Sequence, residues 1–145
     1  MSTFAGFPSG KVDFIRIPEQ FFTDLLPIID HAGELKISLF ALWFLERQEA
    51  TIRYIKYQDF IDSNLFQGML PEQKEELIKE SLTRAIKRGT LLHIQPNPET
   101  YRDSIFFLNT PRGRAARLAY EAGEWVPDHN QPLPESYTTA RPTIY

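Results

Sequence analysis

The chain has 145 residues, 42% of them hydrophobic and 13% aromatic, with no cysteine and a formal net charge of −3. That length suits one domain with a core and tails, the missing thiols exclude a disulfide framework and a thiolate metal site, and the three histidines are far apart in sequence. The acidic balance excludes a strongly basic nucleic-acid binder, and no apolar run approaches the ~20 residues of a membrane span, so a cytoplasmic protein whose DNA contacts, if any, are local and weak is expected.

From Met1 to Ile15, Phe4, Phe7 and Phe14 stand among Gly6, Pro8, Ser9 and Gly10. The stretch is too apolar for a free tail and too broken for a helix, so it is expected to wrap onto the core or onto a second subunit. Pro18 opens a short helix with Phe21, Phe22, Leu25 and Leu26 on one face, and Pro27 ends that face. The face either caps the core or meets another subunit. After the punctuation from Asp30 to Gly33, Glu34 to Gln48 is the most apolar helix. Leu35, Ile37, Leu39, Phe40, Leu42, Trp43, Phe44 and Leu45 cover almost its whole circumference, leaving Lys36, Ser38, Glu46, Arg47 and Gln48 at its ends and on a thin strip. A helix apolar on nearly all sides is buried on nearly all sides. Either the N-terminal segment or a partner subunit covers it, which makes a homo-oligomer the expectation, with Phe4, Phe7, Phe14, Phe21 and Phe22 as interface candidates.

Ile52 to Tyr57 reads as a strand, and Asp59 to Phe66 as a short helix with Phe60, Ile61 and Leu65 inward, ended by Gly68. Pro71 to Arg88 is the clearest helix. Leu77, Ile78, Leu82, Ala85 and Ile86 form one stripe, Pro71 suits the first position, Glu72, Glu75 and Glu76 meet the positive end of the dipole, Arg84, Lys87 and Arg88 meet the negative end, and Gly89 supplies the left-handed stop. Thr90 to Gln95 and Ser104 to Leu108 form a hairpin, interrupted by Pro96-Asn97-Pro98. Thr110 caps a last helix, with Pro111 at its first position and Ala115, Leu118 and Ala119 as its stripe. Gly123 onward, with Pro127, Pro132, Pro134 and Pro142, reads as a flexible or adhering tail.

The order helix, strand, helix, helix, strand, strand predicts an α+β, mostly α, winged helix with an extra N-terminal helical segment and a C-terminal helix. The helix from Pro71 takes the recognition-helix place, and Pro96 to Asp103 is the wing. Residues 1–16 form an N-terminal arm, 17–122 the winged-helix domain and 123–145 a Pro-rich tail. No phosphate loop, dinucleotide fingerprint, zincin motif or nucleophile elbow is present. The pair Glu75 and Glu76 reads as solvated, His93 as a surface imidazole on the outward phase of its strand, and Asp24 and Asp30 as turn residues. No enzyme activity, cofactor or metal is expected. The candidate DNA-binding residues are Arg84, Lys87, Arg88, Arg102, Arg112, Arg114 and Arg117, the last three being either a solvated basic surface or a phosphate-contacting patch. Glu72, Glu75 and Glu76 stand where a recognition helix usually meets DNA and would repel phosphates, which argues against sequence-specific readout. Convergence of the basic residues favours non-specific DNA binding. Scatter favours protein assembly.

Three segments carry a family resemblance. Ile17-Pro18-Glu19-Gln20-Phe21-Phe22 through Leu26-Pro27, then Glu34-Leu35-Lys36, then Arg88-Gly89-Thr90-Leu91-Leu92 ahead of a second strand resemble the N-terminal winged-helix domain of DnaD-like bacterial replication proteins. The resemblance spans roughly Phe4 to Glu121 and rests more on order and spacing than on any single motif. It implies self-association through this domain, a function in replication initiation and primosome assembly, weak sequence-independent DNA binding, and replication partners such as a helicase loader. The family's second helical domain is absent from this sequence, and the family has no catalytic residue to transfer. The alternatives are an assembly module without DNA binding, or a transcriptional regulator.

Overall fold

The computed structural model describes residues 3–127, an α+β arrangement of helices around a three-stranded antiparallel sheet. In chain order the elements are α1 (Ala32–Glu46), β1 (Ile55–Lys56), α2 (Tyr57–Ile61), α3 (Pro71–Arg88), β2 (Leu91–Ile94), β3 (Ile105–Leu108) and α4 (Pro111–Glu121). The sheet order is β1-β3-β2, so β3 is central: Phe106 pairs with Ile55 on one side and His93 on the other.

Alternation along β3 divides the core. Phe106 faces α1, α2 and α3, packing with Ile37, Ala41, Leu45, Phe60, Ile78, Leu82 and Leu91. Ile105 and Phe107 face α4, packing with Ile52, Ala116, Ala119 and Trp125. Because successive side chains on a strand point to opposite faces, α3 and α4 lie on opposite sides of the sheet.

α3 has the expected ends: Pro71 at the first helical position and Gly89 as a left-handed cap at φ 92°. Its buried stripe is Ile78, Ser81, Leu82 and Ala85. α1 begins two residues earlier than the sequence suggests, because His31 is its cap: His31 Nδ1 accepts the Glu34 N–H at 3.0 Å.

Four expectations require correction. α1 is not buried all round: Trp43 is 41% exposed and Leu39 is also exposed, while Glu34 and Ser38 are fully buried. Packing against α3 therefore selects the stripe containing Glu34, Ile37, Ser38, Ala41 and Leu45. The helix expected after Pro18 is a wide helical turn (Phe21–Leu25) followed by a tight one (Leu26–Ile28), and it buries Phe21 alone. β1 is only two residues long, since Tyr57 already starts α2, where Asp59 accepts the Lys56 N–H and turns the chain. α4 docks through Gly113, Ala116 and Ala119 rather than Ala115 and Leu118, and Leu118 is exposed. A Cβ at Gly113 would overlap the Leu108 carbonyl oxygen, so glycine is what lets α4 start this close to the end of β3.

The packed body continues past residue 122, because Trp125 is buried against Tyr54 and Phe107. Residues 128–145 of the expected tail, and Met1 and Ser2 of the arm, lie outside the described residues. Among those described, no helix is long and apolar enough to cross a membrane.

Candidate functional site

The exposed side of α3 is mixed in charge. Glu72, Glu75, Glu76 and Glu80 are exposed along it, with Arg84 and Lys87 toward its end. Arg84 donates to Glu80 at 3.2 Å, and Lys79 lies 3.9 Å from Glu75. Glu75 also accepts the Tyr57 hydroxyl at 3.0 Å; burial, then this bond and the carboxylate's charge, push the Tyr57 phenol well above its usual value.

Arg88 serves the fold. Its Nε and Nη2 donate to the two carboxylate oxygens of Glu34 at 2.9 and 3.0 Å, and Asp30 lies 3.7 Å away. The bidentate bond to Glu34 is the main reason its guanidinium is held above the ordinary value, against partial desolvation, and the charges of Glu34 and Asp30 add to it. Glu34 is completely buried, so this fork joins the start of α1 to the end of α3 across the core. As a candidate phosphate contact Arg88 is therefore a correction: its donors are directed inward. The spacing hid this, because Glu34 stands in an apolar run and reads as a helix-end charge.

The other cations do not gather. Arg84, Lys87 and Arg88 belong to α3, whereas Arg112, Arg114 and Arg117 belong to α4 on the opposite side of the sheet. Arg112 donates to the Thr51 carbonyl at 3.2 Å, and Arg114 donates to Asn109 at 3.0 Å. Arg102 sits in the loop between β2 and β3 and is exposed. His93 is a further correction to the outward reading: it stacks on Phe106 and meets Tyr101 edge-on. Burial pushes its imidazole below the usual value, a hydrogen bond with Gln95 opposes this, and Arg117 lowers it further.

The five candidate interface aromatics divide. Phe21 is buried within its own chain, a correction. Phe4, Phe7 and Phe14 are 70%, 90% and 86% exposed, and Phe22 is also exposed. From Thr3 to Lys11 every residue is exposed, with Phe4 and Phe7 meeting edge to face at 5.0 Å. On the surface of α1, Trp43 stands with Arg47 stacked 4.3 Å above its ring. Sequence reasoning missed this stack because it assigned Trp43 to the interior.

Compared with protein-family models, curated proteins and solved structures, the chain has no match in any of the three.

Proposed function

We propose that this chain is a winged-helix module of the DnaD-like type that works by assembling with itself in DNA replication and does not read DNA sequence. The element order and the β1-β3-β2 sheet support the winged-helix reading, with α3 in the recognition-helix place and residues 95–104 as the wing. The observation that carries assembly is the arm: Phe4, Phe7 and Phe14 are exposed on one short stretch, an arrangement that favours burial against a partner. The replication setting rests on the resemblance of the segments around Pro18, Glu34 and Gly89. No catalytic step belongs to this reading.

The DNA part of the proposal is limited by charge placement. Glutamates occupy the start of α3, Arg84 and Arg88 are paired with carboxylates, and the other candidate arginines, Arg102, Arg112, Arg114 and Arg117, are divided between the loop and α4. One duplex can engage one face at a time.

Light scattering on the eluting protein and fluorescence anisotropy with labelled duplexes test both halves. A dimer or higher oligomer at tens of micromolar is expected, and a strictly monomeric mass refutes the assembly reading. Anisotropy should show at most weak binding, equal for unrelated sequences. Three arginines on α4 allow a log-log salt slope no steeper than about −3, at about −0.9 per phosphate. A slope twice as steep would mean that both basic groups act together, and a preferred sequence would point to a transcriptional regulator.

A further inference from the structure

Two cavities of about 340 and 290 Å³ lie beside the root of the arm. They share Pro18, Leu42, Leu108, Thr110 and Pro111 and so form one cleft between the N-terminal segment, α1 and the junction of β3 with α4. The lining is apolar through Leu25, Leu42, Leu45 and Leu108, while Arg16, Arg53 and Arg112 stand at one end against Glu46. This is a local excess of positive charge in a chain whose net charge is −3. Arg53 donates to the Leu45 carbonyl at 3.3 Å, yet its Nε is buried without a partner among the described residues.

Building on the assembly reading above, we propose that this cleft is the seat for the arm of a second copy of the chain. The chain carries both halves of such a contact. The arm offers exposed Phe4, Phe7 and Phe14 to the apolar floor; it is neutral from Thr3 to Phe14, with Lys11 balancing Asp13, and Asp13 adjoins Phe14 where it can meet the arginine rim while Lys11 stays in solvent. Pro8, Gly6 and Gly10 keep the arm out of a helix, the form that an extended cleft accepts. The stretch from Phe7 to Arg16 can span up to about 30 Å when extended, enough to cross between neighbouring subunits. Since Arg16 and Pro18 line the cleft, each arm leaves from the edge of its own copy's seat. Reciprocal exchange about a two-fold axis fills both seats with one kind of contact.

The absence of cysteine makes a clean crosslinking test possible. A tagged full-length chain with Ser9→Cys in the arm is mixed with an untagged chain carrying Thr51→Cys in the cleft wall, and a short bismaleimide is added. A crosslinked pair containing one of each is expected, and Phe7→Ala should weaken self-association by at least about tenfold, as for an aromatic anchor. Circular dichroism confirms that each variant is folded. An oligomer that gives no mixed crosslink, or a doubly substituted chain that links only to itself, overturns the proposed seat and leaves the assembly reading standing. A monomer by light scattering overturns the assembly reading, and the seat with it. Equal self-association of Phe7→Ala and the parent chain also overturns the seat.

Discussion

Replacing Glu34 with glutamine isolates the inward role of Arg88. The carboxylate is fully buried and receives two guanidinium N–H groups at 2.9 and 3.0 Å, whereas an amide can accept only one of them at its oxygen. The guanidinium keeps one charge-assisted bond, to the amide oxygen, and loses the other, which sets a loss of roughly 1.5–3 kcal/mol. The lower end applies, because the Arg88 side chain is 24% exposed and recovers part of its hydration. A loss of about 2 kcal/mol lowers the melting temperature by roughly 6–10 °C in a domain of this size. The assay is urea and thermal unfolding of parent and variant at low and high salt. A buried pair is poorly screened, so the difference should persist at both salt concentrations. A loss below about 0.5 kcal/mol, the scale of an ordinary surface change, or one that disappears in high salt refutes the account.

Three further outcomes follow from packing and protonation. Gly113→Ala should cost about 1–3 kcal/mol because its Cβ overlaps the Leu108 carbonyl oxygen, whereas Leu118→Ala should stay within about 0.5 kcal/mol in urea unfolding. Phe106→Ala should cost about 3–5 kcal/mol, and Trp43→Ala only about 1 kcal/mol, since Trp43 keeps 41% of its surface exposed; equal losses in calorimetry would contradict this division. Burial holds His93 below its usual value of 6.5, so the unfolded chain takes up the proton first as pH falls. Its stabilising contribution is complete above about 6.5 and declines as pH drops through that value toward the folded pKa, so His93→Gln should flatten the fall in stability as pH drops below about 6.5, and an unchanged pH profile would contradict this.

Elements whose local signals agreed were legible in the sequence. α3 combined an apolar stripe, a first-position proline, charges matched to its dipole and a terminal glycine, and the structure reproduces it from Pro71 to Arg88. Elements decided by their neighbours were not. The periodicity of α4 admits a stripe through Leu118, but the close approach of β3 selects the face carrying Gly113, Ala116 and Ala119. On α1, composition indicated burial on every side, although composition cannot say which stripe meets α3. The stripe that does so contains a carboxylate, and it is tolerated there because Arg88, 54 positions later, reaches it. The N-terminal helix failed for the opposite reason: Pro27 and the docking of Phe21 alone favour two irregular turns over a continuous amphipathic face.

The candidate surface depended on the same distinction between local and distant information. Sequence identified every cation but could not separate one that neutralises a buried glutamate from one that faces solvent, and Arg88 and Lys87 are adjacent residues with these two fates. Nor could it place Arg112 and Arg114 relative to Arg84, because that depends on which face of the sheet each helix covers. Alternation along β3, with Phe106 toward α3 and Phe107 toward α4, decides the matter by putting the two basic groups on opposite sides. Association driven by phosphate contact needs many cations on one surface, whereas association driven by apolar burial needs only a few large side chains that one copy leaves uncovered. This chain divides the candidate cations of α3 and α4 between two sides of the sheet and leaves Phe4, Phe7 and Phe14 uncovered, which is the ground on which assembly, rather than phosphate contact, is proposed.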